Sequence, residues 1–111
     1  MQLTYEERFA LEKIFHGDSD FDRAVVDQLQ MVEVVERDMT GIGFFSTVRF
    51  PGHLPDNRGR LQWDWNFNHR DLSQGGSFMA SYEEPDIIEL EAVAFYGEWP
   101  LSFDADAFSA S

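Results

Sequence analysis

Carboxylates are the residues of this chain whose number and placement most clearly imply a chemistry. The 111 residues include 21 Asp and Glu against 8 Lys and Arg, a net charge of −13. A field of this sign speeds encounters with basic proteins and repels nucleic acids and anionic membranes. We therefore predict a basic protein partner, with neither nucleic acid nor a membrane as a target. The acids from residue 72 onward have no Lys or Arg among them: Glu83, Glu84, Asp86, Glu89, Glu91, Glu98, Asp104 and Asp106.

Acid–base catalysis is one chemistry that these carboxylates could perform. Asp64 lies on the polar side of one predicted strand, and Glu89 and Glu91 share a face of another. A carboxylate pair of this kind needs an enclosed apolar pocket that separates the two pKa values. A solvated or partner-binding sheet face produces the same pattern without such a pocket. We favour the surface interpretation and predict that the chain is not an enzyme and has no catalytic residue.

Metal and cofactor motifs are incomplete in this sequence. The D-x-D-x-D spacing at residues 18–22 lacks the glycine and the closing glutamate of a calcium loop, and a helix N-terminus is the better interpretation. The three histidines lack zinc-ligand spacing, and the chain has no cysteine. The G-x-G at residues 41–43 precedes a strand and lacks the third glycine of a dinucleotide-binding fingerprint. We predict no metal and no cofactor.

Two helices are predicted near the N-terminus. Thr4 and Glu7 have the spacing of a capping box, in which each side chain meets an unpaired backbone amide. Ser19 begins a second helix signal, with acids in the first turn that suit the helix dipole. Apolar residues recur at helical spacing after both signals. The predicted helices cover about residues 5–16 and 20–30.

Alternation of apolar and polar residues predicts the strands. Residues 61–68 alternate without exception, as a strand with one buried face does. Helices followed by strands indicate an α+β fold, and short connections between the strands favour an antiparallel meander. We predict two N-terminal helices packed on one face of a five-stranded, mainly antiparallel sheet. The strands are placed at about residues 32–39, 43–50, 61–68, 77–83 and 87–96.

The chain is interpreted as a single domain covering residues 1–111, because its length suits one core and no linker divides it. Residues 101–111 are small and acidic, and we expect them to fray, with Phe103 and Phe108 as the candidate anchors to the core. The first residues lack the basic and apolar regions of a signal peptide, and no apolar run is long enough to span a bilayer. The expected location is the cytoplasm.

Three short stretches carry a resemblance to a group of known proteins. They are RDMTGIGFFST at residues 37–47, Gly76-Ser77-Phe78 together with Leu90-Glu91, and GEWP at residues 97–100. The set resembles small, acidic, uncharacterised bacterial proteins, some of which are similar to immunity proteins of contact-dependent or polymorphic toxin systems. The resemblance implies a toxin-neutralising role and transfers no catalytic residue to this chain.

Three functions follow from these observations. The first is an acidic binding module that occludes a basic partner, such as a toxin-type nuclease. The second is a small-molecule binder with a pocket on the sheet. The third is a homodimeric structural domain, joined through an uncovered edge of the first or fifth strand, whose acidity serves solubility. For the first function, the predicted binding residues are Asp64, Glu83, Glu84, Asp86, Glu89 and Glu91.

Overall fold

Two helices precede six strands in the computed structural model, which describes all 111 residues. Helix α1 covers Tyr5–Ile14 and helix α2 covers Asp20–Gln28, and a short 3-10 turn covers Ala105–Ala107. The capping box predicted at Thr4 and Glu7 is present at the start of α1. The strands are β1 (Glu33–Met39), β2 (Gly43–Arg49), β3 (Gln62–His69), β4 (Leu72–Glu83), β5 (Ile87–Ala94) and β6 (Phe108–Ala110).

The six strands form one antiparallel sheet in the order β1-β2-β5-β4-β3-β6. The α+β class is therefore confirmed, whereas the predicted number of five strands is wrong. The meander from β3 to β5 folds back so that β5 pairs with the β1–β2 hairpin. The fifth strand is consequently central and cannot be an open edge, and the two edge strands are β1 and β6.

The sixth strand lies in the C-terminal segment that the sequence analysis expected to fray. Phe108 places its ring against those of Phe67, Phe78 and Trp99, with centroids 4.9, 5.6 and 6.4 Å away. This aromatic anchor lets Phe108–Ala110 pair with the outer edge of β3. The expectation of fraying was wrong for this strand because one large apolar side chain outweighs the small, polar composition around it.

Strand β4 begins five residues before its predicted start, because Gly75 and Gly76 lie within the strand. Gly75 has a positive φ of 66°, and a Cβ at either glycine would overlap a backbone carbonyl, that of Phe67 or of Val93. The two glycines therefore allow close approach of the neighbouring strands, one of the two roles that glycine has inside a sheet. Adjacent glycines are also a common loop signal, so the sequence alone places both before the predicted strand at residues 77–83.

Both helices pack on the same face of the sheet through aromatic side chains. Phe15 and Phe21 contact the Trp63 indole, and the Phe21 ring stacks on it with a centroid separation of 5.1 Å. Phe9 of α1 meets Phe78 of β4 edge to face. Burial of each such side chain contributes about 1.5–3 kcal/mol, so this face forms the core. None of the helices has the length and apolar character needed to cross a membrane.

Candidate protein-binding face

The second face of the sheet has no helix packed on it, and we call it the open face. Its side chains alternate with the core residues along each strand. A shallow groove of about 350 Å³ crosses its centre, and a smaller one of about 170 Å³ adjoins it near β1. The residues that present side chains here are Glu36, Asp38, Phe45, Thr47, Gln62, Asp64, Met79, Ser81, Glu89 and Glu91.

Strand register arranges these side chains in two rows that run across the strands. The central row passes from β1 to β3 through Asp38, Phe45, Glu91, Met79 and Asp64, each residue directly opposite the next. The second row lies two residues further along every strand. It consists of Glu36, Thr47, Glu89, Ser81 and Gln62.

Five carboxylates of the two rows have no cationic partner within the chain. The nearest base in the register is Arg49, at the end of β2, and it is paired with Glu33 at 2.9 Å. Glu89 and Glu91 are two residues apart on one strand, about 7 Å at strand rise, so like charges face each other without compensation. Cations from outside the chain would relieve this repulsion. The five are Glu36, Asp38, Asp64, Glu89 and Glu91.

Three of the predicted binding residues come together on the open face. Asp64 belongs to β3, while Glu89 and Glu91 belong to β5, and β4 separates the two strands. Glu83 ends β4 opposite Ile87, at the margin of the same face. The sheet therefore joins acids that are more than twenty residues apart in sequence.

The other two predicted binding residues lie in the turn between β4 and β5. Glu84 is exposed there, away from both rows. Asp86 binds to its own chain, accepting a hydrogen bond from the Leu54 amide at 2.9 Å and lying 3.2 Å from Nδ1 of His53. Its side chain is only 18% exposed, so it organises the loop between β2 and β3 rather than the open face.

Seven residues of the open face were not among the predicted binding residues, and four of these are charged or apolar: Glu36, Asp38, Phe45 and Met79. In a strand over residues 43–50, Phe44 and Phe45 lie on opposite sides, and because both sides contain a phenylalanine the pattern does not say which is buried. Phe45 is 47% exposed, whereas Phe44 is in the core. The arrangement of β1, β2 and β5 in the sheet determines which side of β2 is buried, and no local sequence signal encodes this arrangement.

The RDMTGIGFFST stretch at residues 37–47 anchors α1 to the sheet. Arg37 donates from Nε and Nη2 to the Glu7 carboxylate at 2.9 and 2.7 Å, and the Ser46 hydroxyl donates to the same group. The Thr4 amide donates to it at 2.8 Å. Glu7 is only 2% exposed, and the hydrogen bonds from Arg37, Ser46 and the Thr4 amide compensate its charge within the chain. Because every one of its bonds is internal, the carboxylate is not free to act as a base on a substrate.

The two adjacent glutamates of α1 have opposite pKa shifts. Burial alone would raise the pKa of Glu7, but hydrogen bonds from Arg37, Ser46 and the Thr4 amide outweigh it, and the pKa is lowered. Burial raises the pKa of Glu6, against the hydrogen bond that Nε1 of Trp99 donates at 3.1 Å. Trp99 belongs to the GEWP stretch, so two of the three resembling stretches meet at the N-terminus of α1.

The histidines do not gather into a metal site, and the chain has no group of three or more His, Asp or Glu arranged to hold one. His69 is buried, which lowers its pKa, and its Nδ1 accepts a hydrogen bond from the Asp71 amide at 3.0 Å. His53 lies in the loop before β3, and His69 ends that strand. The two rings are thus at opposite ends of β3.

A second cleft, of about 500 Å³, lies between the loops at residues 17–22 and 56–60. Asp22 accepts hydrogen bonds from the Gly17 amide and the Ser19 hydroxyl, while Ser19 forms the N-cap of α2. The predicted helix N-terminus is therefore confirmed. Arg60 lies over the buried Trp63 ring at 5.4 Å. The cleft is lined by both aspartates and arginines, so its charge does not select a single class of ligand.

No protein-family model, curated protein or solved structure matches this chain. The resemblance to immunity-type proteins therefore stays a hypothesis.

Proposed function

We propose that the chain is an acidic protein-binding module that neutralises a basic partner by covering it with the open face. The observation that carries this proposal is the group of five uncompensated carboxylates on the face that also exposes the ring of Phe45. Carboxylates of this kind pair with Lys and Arg, and an exposed aromatic ring adds cation–π attraction for the same groups.

Occlusion is the mechanism that this surface supports. The net charge of −13 steers a basic protein toward the chain, which raises the association rate at low ionic strength. The carboxylates then occupy the Lys and Arg side chains that a nuclease needs for phosphate groups. A toxin-neutralising, immunity-type role is the concrete form of this proposal, supported by the resemblance in residues 37–47.

The test is a charge-reversal experiment on the open face. Tagged wild-type protein and the variant Glu89→Lys/Glu91→Lys are used to capture proteins from native lysate at low salt. The matched control is Glu12→Lys/Asp27→Lys, which makes the same change of charge on exposed positions of the two helices. We expect a basic protein that the wild type and the control retain, that salt releases, and that the open-face variant does not bind.

Equal retention by all three proteins would show that net charge alone, rather than this face, attracts the partner. Absence of any basic protein from the wild-type eluate would contradict a constitutive neutralising pair. Circular dichroism and thermal unfolding of the variants confirm that each remains folded.

A further inference from the structure

We propose that the occupant of the open face is a basic amphipathic helix of the partner, lying across the strands. This inference rests on the proposed function and adds the structural class of the ligand. It predicts a partner segment in which Lys or Arg alternates with apolar residues every three to four positions.

Acidic and apolar side chains alternate from strand to strand along the central row, and this order defines what the ligand must present. Acids stand on β1, β5 and β3, and apolar side chains stand on the two strands between them, β2 and β4. Phe45 is 47% exposed and Met79 is partly exposed, so both apolar groups are accessible. A complementary ligand needs three cations with an apolar group in each interval. The row is Asp38, Phe45, Glu91, Met79 and Asp64.

The spacing of the row selects a helix. Neighbouring strands lie about 4.8 Å apart, so the row spans about 19 Å in four steps. Residues three to four apart lie on one side of a helix and rise about 5 Å, and fifteen residues rise about 21 Å in fourteen steps. Alternate residues of an extended segment are about 6.8 Å apart, so their side chains no longer lie opposite those of the row after two strand spacings of about 4.8 Å. An extended segment that runs along the strands would meet one column instead of the row.

The flanks of the row give the helix a preferred side. The second row adds Glu36 and Glu89 on one flank, together with uncharged polar groups. The other flank is uncharged and small, with Val93 and Ser77 as neighbours in the register. The partner helix should therefore have extra basic residues on one flank only, which fixes the direction in which it lies.

Synthetic peptides test this geometry directly. The ordered probe is a capped, labelled Ala/Gln-based peptide of fifteen residues, with Lys at its first, eighth and fifteenth positions and Leu at its fourth and eleventh. A scrambled probe has the same composition but places Lys around the whole helix. A third probe is the ordered peptide with Pro at its seventh position, which keeps all three Lys and both Leu but breaks the helix. Binding is measured by fluorescence anisotropy at low ionic strength, and peptide helicity by circular dichroism.

We expect the ordered probe to bind at least about tenfold more tightly than the other two and to gain helicity on binding. The variant Asp38→Asn/Asp64→Asn/Glu91→Gln should abolish this preference. The control Glu12→Gln/Asp27→Asn/Glu98→Gln removes the same number of charges from exposed positions elsewhere and should retain it.

Two results would overturn the inference. Equal binding of the scrambled probe would reduce the interaction to unspecific charge attraction, and equal binding of the Pro probe would favour an extended ligand. If no probe binds while the lysate experiment still separates the open-face variant from its control, the helix inference alone fails. If that experiment also shows no difference, the proposed function fails with it.

Discussion

Glu6 and Glu7 show how one residue step decides the role of a carboxyl group. Glu7 points between α1 and the sheet and meets Arg37 and Ser46, while Glu6 reaches Trp99. A buried charge is tolerated only when it is paired and hydrogen-bonded, and Glu7 satisfies both conditions. The capping box was predictable because its two residues are three apart. Arg37 lies thirty residues from Glu7 in sequence, so no local pattern reveals that the two side chains pair.

Replacement of Glu7 by Gln should lower the free energy of unfolding by about 3 kcal/mol at neutral pH, because Arg37 loses its charged partner. The matched variant Glu6→Gln retains an acceptor for Trp99 and should change stability by less than about 1 kcal/mol. Urea denaturation of both variants measures the difference. Equal losses for the two would contradict the assigned role of Glu7.

The stability lost in Glu7→Gln should depend on pH, and the pKa of Glu7 fixes the sign of that dependence. The folded-state pKa of Glu7 lies below its ordinary value of 4.5, so the contribution of this carboxylate to stability is fully present above that value. The contribution is lost as the pH falls through the folded-state pKa. The stability gap between wild type and Glu7→Gln should therefore narrow in acid. Urea denaturation across this range checks it, and a gap that stays constant would contradict the assignment.

At the scale of elements, the hairpin between β1 and β2 depends on two glycines that act differently. Gly41 has a φ of 84° with open space around its Cα, so it supplies backbone conformation. Gly43 has an ordinary φ, but a Cβ there would overlap the Ala92 carbonyl of β5. The sequence predicts a hairpin in which either Gly41 or Gly43 supplies a positive φ or a bulge. It could not distinguish them, because the obstacle to a side chain at Gly43 belongs to a strand far along the chain.

Substitution of each glycine by alanine separates the two roles. Gly41→Ala should cost about 1–2 kcal/mol from the left-handed backbone. Gly43→Ala should cost about 3 kcal/mol or more, since it forces β2 away from β5. Thermal or urea unfolding compares them, and a smaller loss at Gly43 than at Gly41 would refute this account.

The last strand depends on one anchor side chain. Phe108→Ala should destabilise the protein by about 2 kcal/mol, less than for a fully buried phenylalanine because the ring is partly exposed. Phe95→Ala is the control, since that ring is 57% exposed, and it should change stability by less than about 0.5 kcal/mol. Urea denaturation measures both. A frayed C-terminus would instead make the two substitutions equivalent.

At the scale of the whole molecule, the sheet edges and the charge both oppose self-association. The register shifts between Val34 and Glu36 of β1, and Met1 pairs with Val34 through two backbone hydrogen bonds of 2.8 and 3.0 Å. The other edge strand, β6, has only three residues, and it leaves just a short stretch of β3, residues 62–65, unpaired on that side. Bulged, covered or short edges resist pairing with a second copy, and two open faces repel each other through their carboxylates.

These features favour a monomer over the homodimer that an uncovered edge would form. Light scattering over a wide range of protein concentration at low salt should give the mass of one chain, 12.8 kDa. A dimer that grows with concentration under these conditions would support the structural, self-associating function instead.

The sequence by itself determined the elements and the sign of the surface. Alternation at residues 61–68, the capping signals at Thr4 and Ser19 and the separation of helices from strands all act over a few residues, so they predicted the α+β class. Tertiary structure alone decided the strand order, the sixth strand and the open face that joins Asp38 to Glu91 and Asp64. Periodicity gives each strand two sides, but the choice of buried side and of neighbouring strand is made by packing between residues that are distant in sequence.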